Sequence, residues 1–146
     1  MLLRDAVIPG EDGFRAGMCV RVTDGRVAEV GRELRPAADE RVADLQGDCL
    51  LPGFVDVHIH AFRGHDAMAG EAAIRAMSRG LYREGVAAFL PTTMSASAEE
   101  TRRAIAAIRA VMDKPEPMGA WVLGAHMEAP FLNPGQMWCA AGGASV

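Results

Sequence analysis

The amino-acid sequence predicts an α/β chain, with a small β unit over residues 1–50 followed by a β-α-β-α-β run within residues 51–136. Two observations carry the prediction. Thr23-Asp24-Gly25 separates two alternating apolar runs, and beyond Leu51 short apolar runs alternate with stretches of helical periodicity.

Each element follows from local chemistry. Residues 18–22 and 26–30 flank the Asp-Gly pair, a strong hairpin signal because both turn positions take positive φ. Residues 41–45 offer a third strand. Residues 51–60, Leu-Pro-Gly-Phe-Val-Asp-Val-His-Ile-His, form a nearly continuous apolar run suited to a strand buried on both faces of a parallel sheet. Residues 70–84 form a helix with Ile74, Met77 and Leu81 on one face. Residues 86–90 form a second buried strand, closed by Pro91-Thr92-Thr93. Ser97 and Glu100 have capping-box spacing and start a helix that runs to about Met112, where Pro115 and Pro117 stop it. Residues 121–127 form the third strand. Met68, Met77, Met94, Met112 and Met118 read as core fillers. Helices between successive strands imply right-handed parallel crossovers. Three such units do not close a sheet, since a (β/α)8 barrel has eight strands and runs to ~250 residues.

Composition narrows the function classes. The 146 residues are 50% hydrophobic and 23% charged with a net charge of −4, the balance of a globular protein. No basic block is present to neutralise a phosphate backbone, which argues against nucleic acid as a partner. No apolar stretch approaches the ~20 residues of a membrane helix, and the start, Met1-Leu2-Leu3-Arg4-Asp5, lacks the apolar core of a secretory signal. Cys19, Cys49 and Cys139 are odd in number and without a CxxC pair, so they read as reduced thiols in a cytoplasmic protein.

The residues able to do chemistry lie at strand ends. His58 and His60 sit at i and i+2 on one strand, so both side chains leave the same face and can share a divalent ion. The alternative is a pair of core histidines satisfied by backbone, and burial of two unpaired imidazoles in an apolar strand weighs against it. Glu128 ends the third strand, and the C-terminal strand ends of parallel α/β folds carry their active sites, so its carboxylate is the third candidate metal ligand. His126 leaves the same face one layer deeper and reads as a supporting or packing residue. His65 and Asp66 lie in a Gly-rich loop after the first strand, a surface loop by default and a substrate contact as the weaker alternative. Gly142-Gly143 lacks the context of a phosphate loop.

Together these blocks form a family pattern. Leu51-Pro52-Gly53-Phe54-Val55-Asp56-Val57-His58-Ile59-His60 resembles the first barrel strand of the amidohydrolase superfamily. Leu90-Pro91-Thr92-Thr93 and the run from Gly124-Ala125-His126-Met127-Glu128 through Ala129-Pro130-Phe131-Leu132-Asn133-Pro134 resemble the N-acetylglucosamine-6-phosphate deacetylases within it. The resemblance covers residues 1 to about 136. It implies part of a small β-sandwich domain followed by the first three βα units of a (β/α)8 TIM-type barrel. It also implies a divalent metal, zinc first with iron, cobalt or manganese as alternatives, held in part by His58, His60 and Glu128. The implied reaction is hydrolysis of an amino-sugar phosphate acetamide, releasing acetate and glucosamine 6-phosphate, in a protein that forms homo-oligomers at full length. Hydantoinase and dihydroorotase relatives bridge two metals with a modified lysine on the fourth strand, and a third-strand glutamate takes the carboxylate role in the deacetylases. Another amidohydrolase, a deaminase or cyclic amidase, is the second reading, and a non-catalytic polypeptide the third.

The chain departs from the pattern in places. Ala129 stands where the family usually has glycine, and Phe62-Arg63 replaces the glycines usual after the histidine pair. The catalytic aspartate and later metal histidines that the resemblance implies are expected beyond residue 146, and the chain by itself is expected to have little or no activity. Residues 137–146 diverge from the family's continuation, and the codons of Met137-Trp138-Cys139 read one base later can give Cys-Gly-Ala. An out-of-frame or divergent tail over 137–146 is therefore expected.

Overall fold

The structure, a computed structural model, describes residues 1–128 and divides into two compact units, Met1–Pro52 and a second beginning at Gly53. Ala129, the proline-rich run after it and the expected tail over 137–146 lie outside the described residues.

The first unit is one four-stranded sheet. β1 (Leu2–Gly10), β2 (Gly13–Thr23), β3 (Arg26–Gly31) and β4 (Val42–Asp44) lie in the order β3-β2-β1-β4, with β1–β2 and β2–β3 antiparallel and β1–β4 parallel. The Asp-Gly hairpin forms between β2 and β3, with Asp24 at φ 50° and Gly25 at φ 72°, the left-handed pair that a type I′ turn needs. β1 is a strand that the apolar pattern does not reveal, although Leu2 and Ala6 are fully buried and it pairs on both sides. Its pairing with β2 shifts register between Leu3 and Ala6, and Asp5 takes φ 52°. A bulge there breaks the two-residue alternation by which a strand is recognised.

In the second unit β5 (Phe54–Ile59) is followed by a short hairpin of β6 (Ala61–Phe62) and β7 (His65–Asp66). Then come α1 (Glu71–Arg83), β8 (Val86–Thr93), α2 (Ala98–Asp113), β9 (Trp121–Val122) and β10 (His126–Met127). β5, β9 and β10 all pair with β8 in parallel, β5 on one side and β9 and β10 on the other. The helices α1 and α2 cross between successive strands, as their periodicity predicts. Ile74, Met77 and Leu81 of α1 and Ile108 and Val111 of α2 pack with Phe89 and Val122 into one core. Full burial of each large side chain contributes on the order of 1.5–3 kcal/mol. The capping box is present: the Ser97 hydroxyl accepts the Glu100 N–H, and the Glu100 carboxylate accepts the Ser97 N–H.

Several expectations need correction. β5 is not buried on both faces, since Phe54, Val55 and Val57 are 65%, 56% and 58% exposed. β5 is the edge of the described sheet, and the helices cover one face. The second strand does not stop at Leu90 but runs through Pro91 to Thr93. Pro91 is tolerated because it lies opposite a register shift in β5, between Asp56 and Ile59, where the ladder is already interrupted. The third strand is broken into β9 and β10 around Gly124. His65 and Asp66 stand on a tight hairpin instead of an open loop, turned by Arg63 at φ 49° and Gly64 at φ 82°. Met118 is no core filler, because it is exposed in the segment after α2.

Candidate metal centre

The shift of one residue between β5 and β8 shapes the end of β5. From Asp56 opposite Phe89 the pairing resumes at Ile59 opposite Pro91, so three steps on β5 match two on β8. Side chains replace the lost ladder bonds. Asp56 Oδ1 accepts the His58 N–H at 3.1 Å, and Thr92 Oγ1 accepts the Ile59 N–H at 2.9 Å. The Val57 carbonyl accepts from His126 Nδ1 at 2.8 Å. The segment that carries both histidines is thus held by three side chains.

Three donor atoms converge above it. His58 Nε2 lies 3.2 Å from His60 Nε2 and 3.0 Å from Glu128 Oε2, and His60 Nε2 lies 2.9 Å from the same carboxylate oxygen. His60 Nδ1 is 3.2 Å from the Thr92 carbonyl oxygen, which can only accept, so Nδ1 carries the proton. In the neutral ring Nε2 is then a bare lone pair facing a carboxylate oxygen. Two acceptors at that distance require positive charge between them, a shared cation or a proton.

The dimensions suit a cation. Nitrogen and oxygen ligands at ~2.0–2.1 Å from a small divalent ion stand roughly 2.9 Å apart in octahedral and 3.3 Å apart in tetrahedral geometry. The triangle of edges 2.9, 3.0 and 3.2 Å falls in that interval. Two imidazoles and one carboxylate form a donor set that fits zinc, iron, cobalt or manganese. The side chains are 46%, 34% and 45% exposed for His58, His60 and Glu128, so an ion and a substrate have access. Burial, invoked from the sequence against a bland role for the histidines, does not apply; convergence takes its place.

The other sequence candidates are placed differently. The His126 ring lies against His58, with centroids 4.6 Å apart, while its Nδ1 is bound to Val57. Asp66 caps its own turn, accepting the Met68 N–H at 2.7 Å, and lines an open cavity of about 490 Å³ with Met68, Met94, Glu100 and Arg103. His65 is exposed on the hairpin and stands outside the converging group. The sequence reading missed Thr92 and Asp56, whose side chains hold the backbone between and before the histidines. Thr92 stood in a quoted family motif, but nothing in its spacing announced a role.

No protein-family model matches the chain. Among curated proteins, the N-acetylglucosamine-6-phosphate deacetylase of Bacillus subtilis (strain 168) is 30% identical over 138 residues, covering 92% of this chain and 35% of that protein. The chain is a homologue of the N-acetylglucosamine-6-phosphate deacetylases. The N-acetylgalactosamine-6-phosphate deacetylase of Escherichia coli O157:H7 is also 30% identical, over 91% of this chain and 34% of its own length. The crystal structure of the Pasteurella multocida N-acetylglucosamine-6-phosphate deacetylase shares the fold, with a TM-score of 0.80 at 20% identity over 92% of this chain and 35% of that one. The chain thus spans about a third of the length of its deacetylase relatives, which are hydrolases by name. Among the described residues no helix is long and apolar enough to cross a membrane.

Proposed function

We propose that this chain contributes part of the metal centre of a deacetylase acting on N-acetylated hexosamine 6-phosphates, with N-acetylglucosamine 6-phosphate as the leading substrate. The observation that carries the proposal is the convergence of His58 Nε2, His60 Nε2 and Glu128 Oε2 around a point where positive charge is required. The names of the relatives support the substrate class, and the galactosamine relative marks the epimer at which specificity is to be tested.

In this reading His58 and His60 hold a divalent ion through Nε2 and Glu128 holds it through one carboxylate oxygen, zinc being the first choice. A divalent ion held there would supply an activated water and polarise the acetamide carbonyl for hydrolysis to acetate and the free amine. The Thr92 carbonyl holds the His60 proton on Nδ1, and Glu128 places one negative charge beside both imidazoles. His126 packs on His58 and ties β10 to β5 through Val57. The parallel β5-α1-β8-α2-β9/β10 order supports a reading as the first three strands of a (β/α)8 barrel with the two helices between them, and we assign residues 53–128 to such a barrel. The sheet of residues 1–52 then belongs to the small β-sandwich that the resemblance implies.

Zinc titration of the purified chain, followed by equilibrium dialysis, tests the proposal. One ion per chain is expected, with affinity falling at least ~100-fold in Glu128→Ala and in the double variant His58→Ala/His60→Ala. Equal zinc content in all three proteins would refute the assignment.

A further inference from the structure

We infer that Thr92 is a positioning residue of this metal centre, setting both the spacing of the histidine pair and the donor nitrogen of His60; the inference rests on the metal reading above. Thr92 is fully buried in β8 and meets the histidine segment twice. Its hydroxyl accepts the N–H of Ile59, the residue between the two ligands, at 2.9 Å, and donates to the Leu90 carbonyl at 3.2 Å. Its carbonyl accepts His60 Nδ1–H at 3.2 Å.

The need for a hydroxyl here follows from the register shift. The extra residue in β5 lifts Val57 and His58 out of the ladder opposite Pro91. Without the hydroxyl, Ile59 N–H would lack the partner it has here, and an unmade hydrogen bond away from water is unfavourable. Thr92 supplies one from a side chain, and its second bond, to Leu90, fixes the hydroxyl's direction. The backbone between His58 and His60 is pinned to β8 at the point where their Nε2 atoms must stand 3.2 Å apart. The carbonyl bond does the complementary task of keeping the proton on His60 Nδ1 and leaving Nε2 free, the usual office of a residue behind a metal-bound histidine.

Thr92→Val removes the hydroxyl at nearly constant shape and Thr92→Ser restores it. Cobalt(II) affinity is expected to fall ~10–100-fold in Thr92→Val and to stay near that of the unaltered chain in Thr92→Ser. Ile108→Val, a core change remote from the site, provides a destabilised control that should leave cobalt affinity unchanged. The ring nitrogens of His60, read by nitrogen-15 NMR in the unaltered zinc-loaded chain, should show the proton on Nδ1 and zinc on Nε2. This measurement, together with Thr92→Ser, decides the matter should Thr92→Val not fold. Cobalt binding by the unaltered chain with equal affinity in Thr92→Val overturns the positioning role and leaves the metal reading standing. So does zinc carried on His60 Nδ1. Absence of cobalt binding by the unaltered chain overturns the metal reading and this inference with it.

Discussion

At the scale of single residues, a few charge pairs supplement the apolar core. The hydrogen bond from Arg79, and then that from Arg75, keep the Glu116 carboxyl below the usual carboxylate range against the opposing effect of burial. Glu40, through the Ala37 N–H and Arg21, and Glu100, through Ser97, are lowered in the same direction. A carboxylate whose folded pKa is depressed contributes stability that is present above its unfolded pKa and lost as pH falls through the folded value. The chain should therefore lose stability as pH falls below about 4.5, the ordinary glutamate value. Glu116→Gln should be less stable than the unaltered chain at neutral pH, with the gap narrowing on acidification. Urea unfolding followed at pH 7 and pH 4 checks this, and a gap that widens toward pH 4 would contradict it. The sequence made His58, His60, His126 and Glu128 legible because strand ends and two-residue spacing fix which face they leave. It left Thr92 and Asp56 silent, because their roles arise from a one-residue shift between β5 and β8 that apolar patterning does not encode.

At the scale of elements, local signals reported what local physics decides. The Asp-Gly turn, the Ser97–Glu100 box and the apolar face of α1 were all readable, since each depends on residues within a few turns of chain. Irregular pairing was not readable. β1 was hidden by its bulge at Asp5, β8 was shortened at Pro91, and the break between β9 and β10 is invisible in an apolar run. The β6–β7 hairpin provides a sharp test at this scale. Phe62 packs against the core beside Gly80 of α1, where an added Cβ would stand 2.7 Å from the Phe62 Cε1. Glycine in mid-helix costs ~1 kcal/mol relative to alanine on propensity alone. The clash outweighs that gain, so Gly80→Ala should destabilise the chain by roughly 1–3 kcal/mol in urea unfolding. Stabilisation would show that the hairpin does not rest on α1.

At the scale of the whole molecule, the three converging donors come from residues far apart in sequence. His58 lies in β5 and Glu128, 70 residues later, directly follows β10 on the opposite side of β8, yet their donor atoms lie 3.0 Å from each other. An ion bound there would tie the first strand of the parallel sheet to the last described one, and ligand binding to the folded form alone raises its stability. The chain spans about a third of its deacetylase relatives, so its own three donors form the part of the centre that can be tested directly. X-ray absorption spectroscopy of the zinc-loaded chain is the most direct test. A first shell of nitrogen and oxygen only is expected, with the outer-shell scattering of two imidazoles. Sulfur in the first shell, from Cys49 or another thiol, or scattering from fewer than two imidazoles, would contradict it.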